Sequence, residues 1–571
     1  MNKYLFHQLI ATFCLLLCSP ALLWSATVQP AWSKKAFKSV FTLQTFDAGG
    51  SLIASSHGFF VGKMGEAVSN LSAFKGAARA TIIDSQGKEY GVSMILGFND
   101  LYDVVRFRVD TKQSIPLTVS ATHPTEGETL WLLPYRLKKA ALCVEGQLEK
   151  SEPVADRYAY YTLSMSTPDH ALSLPLLNAS GEVVGLCQPS SSSADANRCY
   201  AIGADYAASL KMTGLSLNHE VLRTIGIKKD LPDELDQAVL TLYIAGTGLD
   251  SARLGSYRQL VDDFVSKFPT APDGYISRAQ IALADRDYAQ AKRNMDEALK
   301  VATKKDDVHY SYARMMLQKE MTDSATPFEP WSLDAAAAEA EEAYKVNPLP
   351  AYRQLEGQIR FTQKQYDEAL RLYLSAVGKG NIDAELYTNA AQCKQAQNDT
   401  TAYLALLDSA VNTFSKPYLK AAAPYLLTRA YAMLSAGRFR NAFTDLNEYE
   451  QLMPTEVNDR FYYVRSQAAV GGRLFQQALN DLDKAIGKTP SNTLYYSEKA
   501  SIEVRVGLYA QAMETARKCI AADPDQSDGY LFLGLALCLS GQQAEGCKQL
   551  EKARDLGDNQ AEALIRKYGG K

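Results

Sequence analysis

Cysteine is sparse and scattered, with nine in 571 residues and no Cys-x-x-Cys pair, so neither a disulfide framework nor a cysteine metal cage is spelled out. The six histidines include no His-x-x-x-His spacing, and no Gly-x-x-x-x-Gly-Lys-Ser/Thr loop occurs. Metal centres and phosphate-cradling loops of those kinds are therefore excluded, and no cofactor is expected. An excess of one charge is also missing. A formal net charge of −4 supplies no field toward nucleic acid or anionic membrane. Beyond the first residues, no apolar run approaches the ~20 residues needed to cross a bilayer. What is present is ordinary globular composition, 47% hydrophobic and 22% charged, in a chain too long for one core. Length alone implies about two to four domains.

The N-terminus departs from this composition. Lys3 supplies a positive start and an apolar run follows from Leu9 to Leu23, with candidate cleavage sites at Ser19-Pro20-Ala21 and Trp24-Ser25-Ala26. Residues 1–26 are expected to be a signal peptide. The mature protein is then exported to the periplasm or cell envelope, without an integral membrane span. A lipid anchor on Cys18 is the alternative, although Leu17 stands where such a box wants a small residue; an extracellular location is the other. Seven cysteines lie beyond this segment. Two of them, Cys187 and Cys199, flank Ser190 to Ser193, which reads either as a loop-closing disulfide or as two buried thiols.

Two periodicities divide the remainder. Val105, Phe107 and Val109 alternate with Arg106 and Arg108, the mark of a half-buried strand. Thr81 to Asp84 and Tyr90 to Leu96 flank the turn Ser85-Gln86-Gly87, and a turn at Asn178 to Gly181 feeds the strand Val183 to Leu186. Such short strands between turn residues predict an all-β barrel or sandwich of ~170 residues. From about Leu231 the period becomes helical. Phe439, Phe475 and Tyr509 recur 36 and 34 residues apart, each with an alanine three positions on, Ala442, Ala478 and Ala512. Tyr288 with Ala291 and Tyr366 with Ala369 are earlier copies. A second small residue follows seven positions later at Ala298, Ala376 and Ala485, and Pro348, Pro454, Pro490 and Pro524 close several units. Small residues let stacked helix pairs approach, and proline ends the second helix.

These repeats resemble the tetratricopeptide repeat. Tyr275, Ala279, Tyr288, Ala291 and Ala298 fit one copy; Tyr530, Leu533, Gly534, Gly541 and Ala553 fit the final one, with Gln543 and Gly546 as departures. Roughly eight or nine units are expected between residues 232 and 560, the second with an insertion around Thr322 to Trp331. The resemblance implies a groove on the concave face that holds protein or peptide partners. Tyr462-Tyr463, Tyr495-Tyr496 and Tyr530 recur on first helices; Tyr496 and Tyr530 match packing slots, while Tyr462 and Tyr495 read equally as contact residues.

Three stretches in residues 38–210 resemble trypsin-like peptidases of the bacterial high-temperature-requirement type. They are Gly58 to Val61 with Ala67 to Ala77, Asn99 to Val105, and Leu172 to Asn178 with Gly181 to Gly185. Ala201-Ile202 matches the family's closing strand. The resemblance implies a chymotrypsin-like double β-barrel over 33–214, joined by a linker at 215–231 to a repeat array over 232–571. The fold class is thus multi-domain, all-β followed by an all-α solenoid. It also places the catalytic triad, and the triad is degenerate: Ser72 stands at the histidine position, Asp103 is retained, and Leu172 replaces the nucleophile. Glycines of the oxyanion turn become His170, Ser173 and Leu174, whose side chains are expected to block it. Ser173 is a candidate relocated nucleophile, with His57 or His170 as its base. The expectation is a non-catalytic exported scaffold that binds proteins or peptides and no nucleic acid; an active serine endopeptidase using its repeats for recruitment is the alternative.

Overall fold

The computed structural model describes residues 29–188, 197–378 and 383–569. The expected signal peptide, and most of the serine run between Cys187 and Cys199, lie outside the described residues. The chain divides into two compact units, Met1–Arg278 and Ala279–Lys571.

The first unit holds two closed, antiparallel, six-stranded barrels. The first contains β1 (Val40–Phe46), β2 (Leu52–Phe60), β3 (Glu66–Ser69), β4 (Arg79–Ile83), β5 (Glu89–Asn99) and β6 (Val104–Val109), in the order β1-β2-β3-β6-β5-β4. The second contains β7 (Thr129–Leu132), β8 (Val144–Val154), β9 (Tyr158–Ser164), β10 (Pro175–Leu177), β11 (Val183–Gln188) and β12 (Arg198–Gly203), in the equivalent order β7-β8-β9-β12-β11-β10. Pairing of β4 with β1 and of β10 with β7 closes the two cylinders. The predicted alternation in β6 holds: Val105, Phe107 and Val109 are buried. Phe41, Phe60, Phe74 and Phe107 fill the first barrel, with ring centroids 5.0 Å apart for Phe41–Phe60 and 5.3 Å for Phe74–Phe107. Gly58 in β2 is required by this filling, because a Cβ there would meet the Phe41 ring at 2.6 Å.

Residues 215–231, expected as a linker, pack onto the first barrel. Leu222, Ile225 and Ile227 join its core. The Ile95 N–H donates to the Lys228 carbonyl, and the Asp230 N–H to the Ile95 carbonyl, both at 2.8 Å. β4 pairs with β5 only from Glu89 to Gly91, so the edge of β5 beyond it is open, and this segment satisfies Ile95 there as a parallel bridge.

The second unit is a helical repeat array. Second helices begin at the predicted aromatics, as in Tyr288–Val301, Tyr366–Ala376, Phe439–Leu452, Phe475–Lys488 and Tyr509–Ala522. Ala291, Ala369, Ala442, Ala478 and Ala512 are fully buried where helices cross. Gly546, a departure from the repeat pattern, is explained by its neighbour: a Cβ there would lie 2.8 Å from the Gly534 carbonyl oxygen. The insertion folds inward, with buried Trp331 packed against Tyr288, Tyr312 and Phe328.

A buried ionic pair recurs through these repeats. Arg429 bonds Asp445 through two nitrogens, each at 2.8 Å. One repeat later Arg465 bonds Asp481 at 2.9 and 2.6 Å, with both side chains about 4% exposed. Arg465 also reaches Asn447 and Glu450. Burial opposes ionisation of Glu450, but hydrogen bonds from Arg465, Tyr462 and Lys484 outweigh it and hold its carboxyl at about 2. In the following repeat Lys499 and Thr515 occupy the two positions, and Lys499 turns to Asp483 and Glu503.

Arg465→Met is expected to destabilise the helices Asp459–Gly471 and Phe475–Lys488 by about 3–5 kcal/mol, because Asp481 is left buried and unpaired. Arg465→Met combined with Asp481→Leu is expected to recover most of that loss. Hydrogen exchange across the two helices measures both, and equal protection in Arg465→Met and the native protein would contradict the assignment.

Candidate functional site

The two barrels meet where the turn after β3, the β5–β6 turn and the loop before β10 converge. A short 3-10 turn, Leu71–Phe74, carries Ser72. The Ser72 N–H donates to Asp103 Oδ1 at 2.6 Å, and its hydroxyl donates to Asp103 Oδ2 at 2.7 Å. The fold brings these two residues together, and the link is a serine on a carboxylate. The Asp103 carbonyl also accepts from the Leu71 N–H, fixing one turn on the other.

Asn70 is the hub that sequence reasoning missed. Its Nδ2 donates to Ser72 Oγ at 2.8 Å, while its Oδ1 accepts from Ser56 Oγ at 2.6 Å and from Ser173 Oγ at 3.2 Å. A directed chain therefore runs from Ser173 through Asn70 and Ser72 to Asp103, every donor pointing toward the carboxylate. Asn70 is buried and Ser173 fully so. A carboxamide oxygen takes no proton at neutral pH, so it leaves the Ser173 hydroxyl unactivated.

The loop before β10 forms a tight turn. Leu174 N–H closes on the Ala171 carbonyl at 3.1 Å, and Ser173 takes φ +64° at the third position, where glycine is favoured. His170 is also left-handed at φ +61°, as is Asp103 at +49°. Each such residue costs about 1–3 kcal/mol, so the surrounding bonds over-determine the backbone here. The Ser173 N–H is taken by the Cys187 carbonyl at 2.8 Å, whereas the N–H groups of His170 and Leu172 meet no backbone acceptor among the described residues. Leu172, at the position the peptidase resemblance gives to the nucleophile, is half-buried.

Neither imidazole serves Asp103 among the described residues. His57, on β2, stacks on Tyr135 with centroids 5.6 Å apart, and its Nδ1 lies 3.4 Å from Thr42 Oγ1. Burial, reinforced by the nearby charge of His170, lowers its pKa. His170 is exposed. Cys187 and Cys199 face each other across β11 and β12 with sulfurs 3.5 Å apart, as free thiols beyond the ~2.05 Å of a disulfide. The Cys199 hydrogen bond, then burial, raises the Cys187 pKa. Among the described residues no group of three His, Cys, Asp or Glu side chains is placed to hold a metal, and no helix is long and apolar enough to cross a membrane.

The tyrosines left open on the repeats are engaged internally. Buried Tyr462 donates to Glu450 at 2.8 Å, and buried Tyr495 donates to Asp459 at 2.8 Å. Tyr352 does the same to Asp307 at 2.9 Å. Each of the latter two ties one first helix to the first turn of the preceding one.

No family model matches the chain. It is similar to small glutamine-rich tetratricopeptide repeat-containing protein 2 of Saccharomyces cerevisiae, 29% identical over 125 residues, which are 22% of this chain and 36% of that protein. It is similar to mouse superkiller complex protein 3, 23% identical over 355 residues, covering 61% of this chain and 21% of that protein. The chain thus spans about a third and a fifth of these two relatives. Among solved structures, the active form of the Rv3671c protease from M. tuberculosis aligns at 16% identity and a TM-score of 0.27, covering 37% of this chain and 89% of that one. Its inactive form aligns at 16% identity and 0.26, covering 34% and 94%. At such scores the barrel assignment stands on strand order alone.

The lowered His57 pKa has a pH signature. Its folded value lies below the unfolded one, near ~6.5, so the folded state binds fewer protons. The stabilising contribution is complete above that value and is lost as pH falls through the lowered one. His57→Phe is expected to lessen the fall in melting temperature between about pH 6.5 and 5. Thermal melts across that range check it; an unchanged slope would remove His57 as the source.

Proposed function

We propose that this chain is an exported, non-catalytic interaction scaffold, in which a helical repeat array recruits protein or peptide partners and a trypsin-like double barrel serves as a pseudo-protease domain. The observation that carries the reading is the Ser173–Asn70–Ser72–Asp103 chain. It contains two hydroxyls and a carboxylate but no proton-accepting imidazole, and the buried Ser173 is bonded to a carboxamide. The turn leaves the His170 and Leu172 N–H groups without backbone acceptors among the described residues, which suits docking of a peptide carbonyl without its cleavage. Similarity to tetratricopeptide-containing proteins supports protein partners for the array, with the concave face as the contact surface. The positive start and apolar run at Leu9–Leu23 support export, to the periplasm or cell envelope.

The alternative, an active serine endopeptidase, makes the opposite prediction for a fluorophosphonate probe. No covalent labelling of the mature protein at Ser72 or Ser173 is expected; mass-spectrometric detection of an adduct on Ser173 would overturn the non-catalytic reading. Partners recovered from envelope extract by the mature chain are expected to be lost when residues 279–571 are removed.

A further inference from the structure

Beside the first barrel, the packed segment from Leu217 to Lys229 and the helices Leu235–Gly246 and Ser251–Lys267 enclose a cleft of about 510 Å³. That volume falls in the range of small-molecule and peptide-anchor pockets, roughly 300–1,000 Å³. Part of its wall is apolar, with Leu217, Leu222, Ile227, Ile244 and Leu260 among the lining residues, and Asn218, Ser256 and Gln259 add polar groups. Its charge is one-sided: Arg223, Lys228, Lys229 and Arg253 line it against one carboxylate, Asp263.

Two of the four cations are neutralised locally. Lys228 Nζ lies 2.7 Å from Asp263, and Arg253 Nε lies 3.2 Å from Asp250. Arg223 and Lys229 have no carboxylate within ion-pair distance among the described residues. Lys229 is half-buried, and its ammonium donates to the Ile225 carbonyl. Burial accordingly lowers its pKa. A partly desolvated ammonium with only a carbonyl for company lacks the counter-charge that normally offsets such burial. Arg223 is exposed at the same cleft. Its guanidinium presents the planar, two-pronged donor set that matches a carboxylate.

We propose that this cleft binds a carboxylate carried on an apolar body, with Arg223 and Lys229 taking the head group and the leucine and isoleucine wall taking the body. Two sources offer that chemistry, a fatty acid and the free C-terminal residue of a peptide. The site is separate from the Ser173–Asp103 chain between the barrels and stands whether or not peptide docks there.

Isothermal titration of the mature full-length chain tests it. Four probes are used: decanoate, decanol, an acetylated tripeptide ending in leucine, and the amide of that tripeptide. At least one of the two acids is expected to bind at one site per chain. Its neutral counterpart, Arg223→Gln and Lys229→Gln are each expected to weaken binding about tenfold, as losing a charge-assisted bond implies. Decanoate binding assigns a lipid acid, and tripeptide binding assigns a chain terminus. Arg223 is exposed, so its variant keeps the test valid even if losing the Lys229 bond to Ile225 loosens the segment. Absence of saturable acid binding, equal affinity for acid and neutral probes, or unchanged affinity in Arg223→Gln would overturn the proposal.

Discussion

Closure of each six-stranded sheet on itself is the constraint from which the N-terminal architecture follows. Pairing of β4 with β1, and of β10 with β7, removes the free edges that would otherwise template aggregation. It also fixes where loops emerge. In the first barrel the pairing of β3 with β6, Ser69 opposite Val105, puts the turn after β3 beside the β5–β6 turn, which lets Ser72 and Leu71 bond Asp103. In the second it holds the loop before β10 against β11 through the Ser173–Cys187 and Cys187–Leu174 backbone bonds. The left-handed residues at Asp103, His170 and Ser173 persist because both ends of each turn are anchored in closed ladders.

Within that frame the chemistry turns on one amide. Asn70 links hydroxyls from the two barrels and passes donors one way toward Asp103. The arrangement gives each of these polar side chains a partner, so it contributes rigidity. The same satisfaction removes reactivity, since a hydroxyl whose acceptor is a carboxamide has no base.

The helical array follows a different rule. Small residues at fixed offsets set how closely helices cross, and polar side chains then fix register. Arg429–Asp445 and Arg465–Asp481 repeat one pair in consecutive units, while tyrosine hydroxyls at 352 and 495 anchor to carboxylates in the preceding first helix. Buried pairs of this kind add less to stability than to specificity, because desolvation consumes much of their attraction. Where the third copy substitutes Lys499 and Thr515, the lysine redirects to Asp483 and Glu503.

Much of the fold was legible because its signals are local. The alternation at Val105 to Val109, the aromatic–alanine spacing from Tyr288 to Ala512, and the aligned stretches around Ser72, Asp103 and Leu172 each lie within a few residues. Local periodicity decides whether a segment is strand or helix, so the sequence by itself determined the two halves and which residues stand at the three aligned positions. Tertiary structure alone decided what those residues touch. Asn70 gains its role from Ser173, 103 positions away; residues 215–231 become barrel wall through Ile95; and Tyr462 turns inward to Glu450. The physical reason is that hydrogen-bond partners and counter-charges are chosen by proximity after folding, and proximity across such separations leaves no period in the chain.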